Sequence, residues 1–300
     1  APGLYLAGWL GSVGGLAIVL IGLMATPGGP APLALVLTGL TLLGLGLVAA
    51  AGSQALERRA RRLADAAPSP VLVFGASASL AIVAGVLATR PLVALGIDPR
   101  TAPLGALVGI ASTAVVYVGL VRLLVVGTGA LDWRAIGLTR PGPVALADLA
   151  FGIAWAVPIL WLSGLLAALL STVLATPEPP LPLARDPLGL AANLVAGALI
   201  APIGEEIFFR GYATTAWARR FGARHAIVRG ALFFAFAHVL TIGGPTLEIA
   251  LERAAFAFVV RLPVALALGW VFLHRRSLYA SIGLHAAFNG IPLVVAGVAP

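Results

Sequence analysis

The sequence predicts an all-α fold, a polytopic bundle of about eight or nine transmembrane helices, and three observations carry that reading. Mean hydropathy is +1.05. Charged residues make up 10% of the 300-residue chain, where a soluble globular domain carries roughly 25%. Apolar stretches near the twenty or so residues that cross a bilayer recur along its length, separated by short loops of Pro, Gly and Arg.

On that ruler the spans fall near 4–25, 32–52, 69–89, 104–127, 145–174, 188–216, 231–244, 250–273 and 279–298. The first has no basic segment before it and reads as a retained span, not a cleaved signal peptide. Breaks are marked by Thr26-Pro27-Gly28-Gly29-Pro30, Thr139-Arg140-Pro141-Gly142-Pro143, Thr176-Pro177-Glu178-Pro179-Pro180 and Gly243-Gly244-Pro245. All 19 basic residues are arginine, and there is no cysteine, which excludes disulfides, thiol nucleophiles and thiolate metal sites.

The net charge of +8 does not indicate a nucleic-acid partner, because the arginines cluster in loops. Arg58, Arg59, Arg61 and Arg62 share one loop, Arg134 and Arg140 a second, Arg219, Arg220, Arg224 and Arg229 a third, and Arg275 and Arg276 a fourth. These loops alternate along the chain, so all four fall on one face, expected to be cytoplasmic. The opposite loops carry Arg90, Arg100, Arg185 and Arg253. Nine spans then place the N-terminus inside. The expected location is a bacterial plasma membrane, with the lipid bilayer as surroundings.

The chain has 11 acidic residues, and two of them, Glu205 and Glu206, are adjacent inside an apolar helix. Each such charge costs about 2–3 kcal/mol on the most lenient insertion scale, so a use for the pair is expected. Phe234…His238 and His285…Asn289 lie downstream in similar surroundings. Glu205 precedes Arg219 by about 20 Å of helical rise, and His238 and His285 each follow a loop arginine by about 13 Å. With arginines able to snorkel by several ångströms, these depths are compatible with one common level in the cytoplasmic half of the membrane.

Glu206 and Arg210 are four apart in the favoured ion-pair order, and Glu205 points about 100° away. One glutamate is then a neutralised anchor and the other is available for chemistry. Phe234 walls the face that carries His238. His285 and Asn289 share a face from which an imidazole and an amide can bind water or supply donors to an oxyanion. Taken singly, each motif is as readily a packing element; the constellation shifts the balance toward function. His225 and His274 read as solvated bystanders, Phe208, Phe209 and Phe233 as lipid or packing contacts. Arg261, mid-span beside Pro263, is expected to pair with Glu248 or Glu252, with contact to a substrate carboxylate as the alternative.

In order and separation, Glu205-Glu206-x-x-x-Arg210, Phe234-x-x-x-His238 and His285-x-x-x-Asn289 resemble the CPBP family of intramembrane proteases. That family is also called the Abi or CAAX-protease family and includes the type II CAAX prenyl endopeptidases. The resemblance covers roughly residues 130–298, and Leu131 to Leu138 look like the family's amphipathic lead-in. It implies accessory helices over residues 1–130 and a peptidase core over 131–300. It further implies that Glu205 activates water, His238 helps hold it, His285 and Asn289 stabilise the oxyanion, and Glu206 and Arg210 support them. The substrate it implies is a membrane-embedded or lipidated peptide. The family has been described both as metalloproteases and as glutamate proteases. His-Glu-x-x-His is absent here, yet Glu205, His238 and His285 suit a divalent metal such as zinc with an open position. The rival reading is a non-catalytic transporter or immunity or regulatory factor that uses the same motifs for structure or ion binding.

Overall fold

The computed structural model of the chain describes residues 2–25, 30–63, 66–184 and 186–298. The predicted break at Thr26-Pro27-Gly28-Gly29 and the loop residue Arg185 lie outside them. Every described element is helical, as the composition requires of a chain that must satisfy its backbone inside lipid. The helices are α1 (Pro2–Met24), α2 (Pro30–Ala60), α3 (Pro70–Ala94), α4 (Pro103–Val126), α5 (Pro143–Leu170), α6 (Pro187–Phe221), α7 (Ala223–Ala237), α8 (Leu247–Arg275) and α9 (Leu278–Val298). The protein is an integral, multi-pass helical membrane protein: 8 of these helices are long and apolar enough to cross a bilayer. Six helices, α1 to α6, begin on a proline. The ring pre-sets φ for the first turn, where its missing N–H costs nothing.

The span expected at 231–244 is corrected. Its helix, α7, covers Ala223–Ala237, 15 residues, or about 22 Å. It starts early because Gly222 takes φ 82°, which stops α6 at Phe221 and lets a new helix begin at Ala223. It stops at His238, whose ring turns back to the Phe234 carbonyl while turns lead on to Gly243-Gly244-Pro245.

Two compact units divide the chain. One comprises residues 1–99 and 107–132. Here α1 and α2 meet through glycines: a Cβ on Gly15 would stand 2.3 Å from the Leu43 nitrogen, so the backbones touch. Arg58 and Arg59, at the end of α2, donate to the carbonyls of Ala67 and Thr128.

The other unit comprises residues 100–106 and 133–300 and holds all the polar motifs. Within Leu131–Leu138, expected as an amphipathic lead-in, residues 133–137 form turns: Gly137 takes φ 83°, and its carbonyl accepts the Leu278 N–H at 2.9 Å. Helix α5 is clamped to α8 where Asp148 accepts from Arg275 Nε at 2.7 Å. Beside that pair His274, exposed as expected of a solvated residue, stacks on Trp270 at 4.9 Å and on Phe151 at 6.1 Å.

Helix α5 also fixes α9. A Cβ on Gly152 would lie 1.9 Å from the Ala280 carbonyl oxygen, and one on Gly283 would lie 2.3 Å from that of Leu149. No side chain fits at this crossing. Gly152→Ala is therefore expected to destabilise the protein by about 1–3 kcal/mol through overpacking, read as a lower midpoint of thermal unfolding in detergent. Because Ala280 is only five residues before His285, the same change should also slow any reaction that uses that imidazole.

Candidate active site

Helix α6 carries the glutamates on a stretch that changes its winding twice. Residues Val195–Ile200 and Ile207–Thr214 are wound with i→i+5 bonds, and Ala201–Glu206 between them is α-helical. Pro202 explains the first widening, since it offers no N–H to the carbonyl one turn back. The second is held by hydroxyls: Thr214 Oγ1 donates to the Phe209 carbonyl at 2.9 Å, and Thr215 Oγ1 to that of Arg210 at 3.4 Å. Such widened turns re-aim side chains and recur at functional sites.

Glu206 and Arg210 form the floor. Arg210 Nη1 donates to Glu206 Oε1 at 2.8 Å, with the two side chains 1% and 0% exposed. His285 Nδ1 lies 2.8 Å from the same oxygen. A carboxylate oxygen that already pairs with a guanidinium only accepts, so Nδ1 carries the proton and donates. Arg210 also covers the Phe234 ring at 4.2 Å and reaches the Ala265 carbonyl at 3.5 Å. Phe234 is the hub: its ring meets Phe209 at 5.2 Å, His238 at 4.2 Å and His285 at 5.6 Å. Phe208 and Phe209 are buried packing groups.

Glu205 and His238 form the mouth, 20% and 25% exposed. His238 Nδ1 donates to the Phe234 carbonyl at 2.8 Å, which turns Nε2 toward Glu205. That Nε2 lies 3.5 Å from Glu205 Oε2, and His285 Nε2 lies 3.8 Å from the same oxygen. Both separations exceed a hydrogen bond. Glu205 Oε2 is buried and has no hydrogen-bond partner. With both Nδ1 atoms protonated, neutral imidazoles present two nitrogen lone pairs to that oxygen. Three acceptors converge on a point where a water, a proton or a cation belongs.

The donor types, a carboxylate oxygen and two imidazole nitrogens, are those zinc takes. Each imidazole is oriented by a hydrogen bond from its other nitrogen, as metal-binding histidines are. As they stand, no three such side chains among the described residues are close enough to form a metal site.

Asn289 is farther along α9. Its Nδ2 donates to the Gly197 carbonyl at 2.9 Å, in the first widened turn of α6. One amide hydrogen is thus committed to holding α9 against α6, and the second is free to point elsewhere. All seven residues picked out from the sequence therefore lie on three neighbouring helices of one unit, with Glu205, Glu206, Arg210, Phe234, His238 and His285 in one cluster. The Gly197 and Ala265 carbonyls and the Gly152–Gly283 crossing also shape the site. They are backbone features, which no side-chain motif signals.

Arg261 does not pair as expected. Glu252 accepts instead from the Ala175 N–H at 3.0 Å. Among the described residues no carboxylate approaches Arg261 within ion-pair distance. Its hydrogen bond runs from Nη1 to the Ala257 carbonyl at 3.2 Å.

Residues 187–291 match the family described as type II CAAX prenyl endopeptidase Rce1-like. The match takes in every one of the clustered side chains and Asn289. Comparison with the curated proteins and with solved structures gave no match.

Proposed function

We propose, from the match of residues 187–291 to the Rce1-like type II CAAX prenyl endopeptidase family, that the chain is an intramembrane endopeptidase acting on a membrane-embedded or lipidated peptide. The observation that carries this reading is Glu205 Oε2, buried and without a hydrogen-bond partner between two imidazole nitrogens at 3.5 and 3.8 Å.

A water seated there donates one hydrogen to Glu205 and one to an imidazole Nε2. As its oxygen attacks the scissile carbonyl, Glu205 takes the proton and a C–O bond forms. The carbonyl electrons move onto oxygen, which faces the second Asn289 hydrogen and His285; His285 takes up one solvent proton on Nε2 as substrate binds, its imidazolium countered by Glu206, and gives it back to solvent when product leaves. The C–N bond then breaks, and Glu205 returns the proton to the leaving amine. The products are a carboxylate and an amine, and atoms balance with one water consumed. Arg210 pairs with Glu206 and stacks on Phe234, holding both imidazoles at their angles. A divalent cation held by Glu205, His238 and His285 would supply a Lewis acid and a water of lowered pKa.

The arginine bias of the loops supports a site in the cytoplasmic half of the membrane and a cytoplasmic N-terminus. The exposed edges of Glu205 and His238 are then the side from which the substrate enters.

The test is cleavage of a lipid-anchored fluorogenic peptide by purified protein in detergent, with and without chelator. Wild type should cleave and His238→Ala should not. Loss of cleavage on chelation assigns a metal, and persistence assigns the water to Glu205 and the imidazoles alone. Asn289→Ala should lower kcat by about 10²–10³, the usual cost of one oxyanion donor. Equal activity in wild type and His238→Ala would refute the assignment.

A further inference from the structure

We propose that Arg261 is the receptor for a carboxylate of the peptide substrate, and so a specificity-determining residue of the site. This rests on the peptidase reading above. A guanidinium in an apolar span is costly and is kept where something uses it. Arg261 is partly buried on α8 and lies within electrostatic range of Glu205, yet beyond ion-pair distance of it. Among the described residues its one hydrogen bond, through Nη1, goes to the Ala257 carbonyl. The remaining N–H groups of its fork are left for another acceptor, and a planar fork suits a carboxylate.

Its position fits. Helices α6 and α8 run in the same direction here, since Arg210 reaches Ala265 while Arg261, four residues before Ala265, is in electrostatic range of Glu205, five residues before Arg210. Arg210 of α6 reaches the carbonyl of Ala265 on α8, so those two residues mark one level. Arg261 is one turn back from Ala265, about 6 Å of rise, and its side chain leans back one turn further. Its guanidinium is thus displaced from the Glu205–His238 mouth along the helix axis by a distance that a few residues of extended peptide cover at about 3.3 Å each. Pro263 sits beside it inside α8 and deprives the Val259 carbonyl of its helical donor, which loosens the helix at this level. A peptide with its scissile carbonyl at Glu205 can therefore lay a carboxylate on Arg261. That carboxylate is either the chain terminus or an Asp or Glu side chain.

The experiment uses full-length protein in nanodiscs and paired lipid-anchored peptides: free C-terminal acid against carboxamide, and internal Asp against Asn. Both kcat/KM and binding are measured, binding on Glu205→Gln so that it does not depend on cleavage. The protein should favour one acid over its neutral partner by about tenfold or more, and the pair that responds identifies the source of the carboxylate. Arg261→Leu should bring the acid down to the level of its neutral partner, while Arg261→Lys, which keeps a point charge, should retain part of the preference. The proposal is overturned if neither pair is discriminated in binding. It is also overturned if Arg261→Leu weakens acid and neutral peptides equally, the signature of a residue that only balances the charge of Glu205. A protein that binds the acid through Arg261 but cleaves no peptide would refute the peptidase reading and leave the carboxylate receptor standing.

Discussion

Glu205→Gln is expected to abolish peptide cleavage while leaving the protein inserted and folded. Glutamine has the same shape, but its amide cannot take a proton from water. General-base catalysis contributes about 10²–10⁴ in rate, and the same carboxyl must afterwards protonate the leaving amine, so the loss should sit at or beyond the upper end. Stability should hardly change, because Glu205 Oε2 has no hydrogen-bond partner in the folded protein to lose. Glu205→Gln should therefore unfold at the wild-type temperature in detergent and yield no product. Cleavage at an unchanged rate would remove Glu205 from the mechanism. A large drop in unfolding temperature would mean that Glu205 braces the fold.

The neighbouring glutamate should behave in the opposite way. Glu206 Oε1 accepts from both Arg210 and His285 at 2.8 Å, with no solvent exposure. Glu206→Leu leaves a buried guanidinium without its counter-charge, and breaking a buried pair from one side costs about 3–5 kcal/mol. Replacing both partners, Glu206→Leu with Arg210→Met, removes the stranded charge and should restore much of the stability lost in either single variant. It should not restore cleavage, because His285 Nδ1 then lacks the acceptor that fixes its tautomer. Unfolding midpoints of the two singles and the double, read beside their cleavage rates, check this. Additive destabilisation would show that the pair is not coupled, and recovered activity would show that His285 does not depend on Glu206.

These contrasting expectations for adjacent residues follow from helical geometry, which is why much of the cluster was legible before any coordinates. Two glutamates one position apart face different directions, and Arg210 one turn on can serve only one of them. The convergence of Glu205, His238 and His285 was legible from the order and spacing of their motifs together with compatible depths, which the loop arginines on one face gauge. Span starts were legible because a proline opens each of the first six helices.

What stayed hidden depends on hydrogen bonds and close packing that the pattern of apolar residues does not encode. The second widened turn of α6 needs Thr214 and Thr215 to reach carbonyls five residues back, and a pattern of apolar residues looks the same with or without them. The early end of α7 at His238 follows from the imidazole bonding its own helix, which extends no apolar run and interrupts none. The contact of Gly152 with Ala280 is visible only once α5 and α9 are packed. Arg261 was expected to find an acid on its own helix. Glu252 instead accepts from Ala175 on the loop after α5, and no periodicity announces that bond.

The central claim is that Glu205 delivers water to a peptide bond, and hydrolysis in ¹⁸O-labelled water tests it most directly. Purified wild type and Glu205→Gln are each incubated with a lipid-anchored peptide in labelled water, and the products are weighed by mass spectrometry. The wild type should release two fragments, with one ¹⁸O in the newly formed carboxylate, and the variant should leave the peptide whole. Intact peptide in both, or labelled product from both at equal rates, would contradict the account.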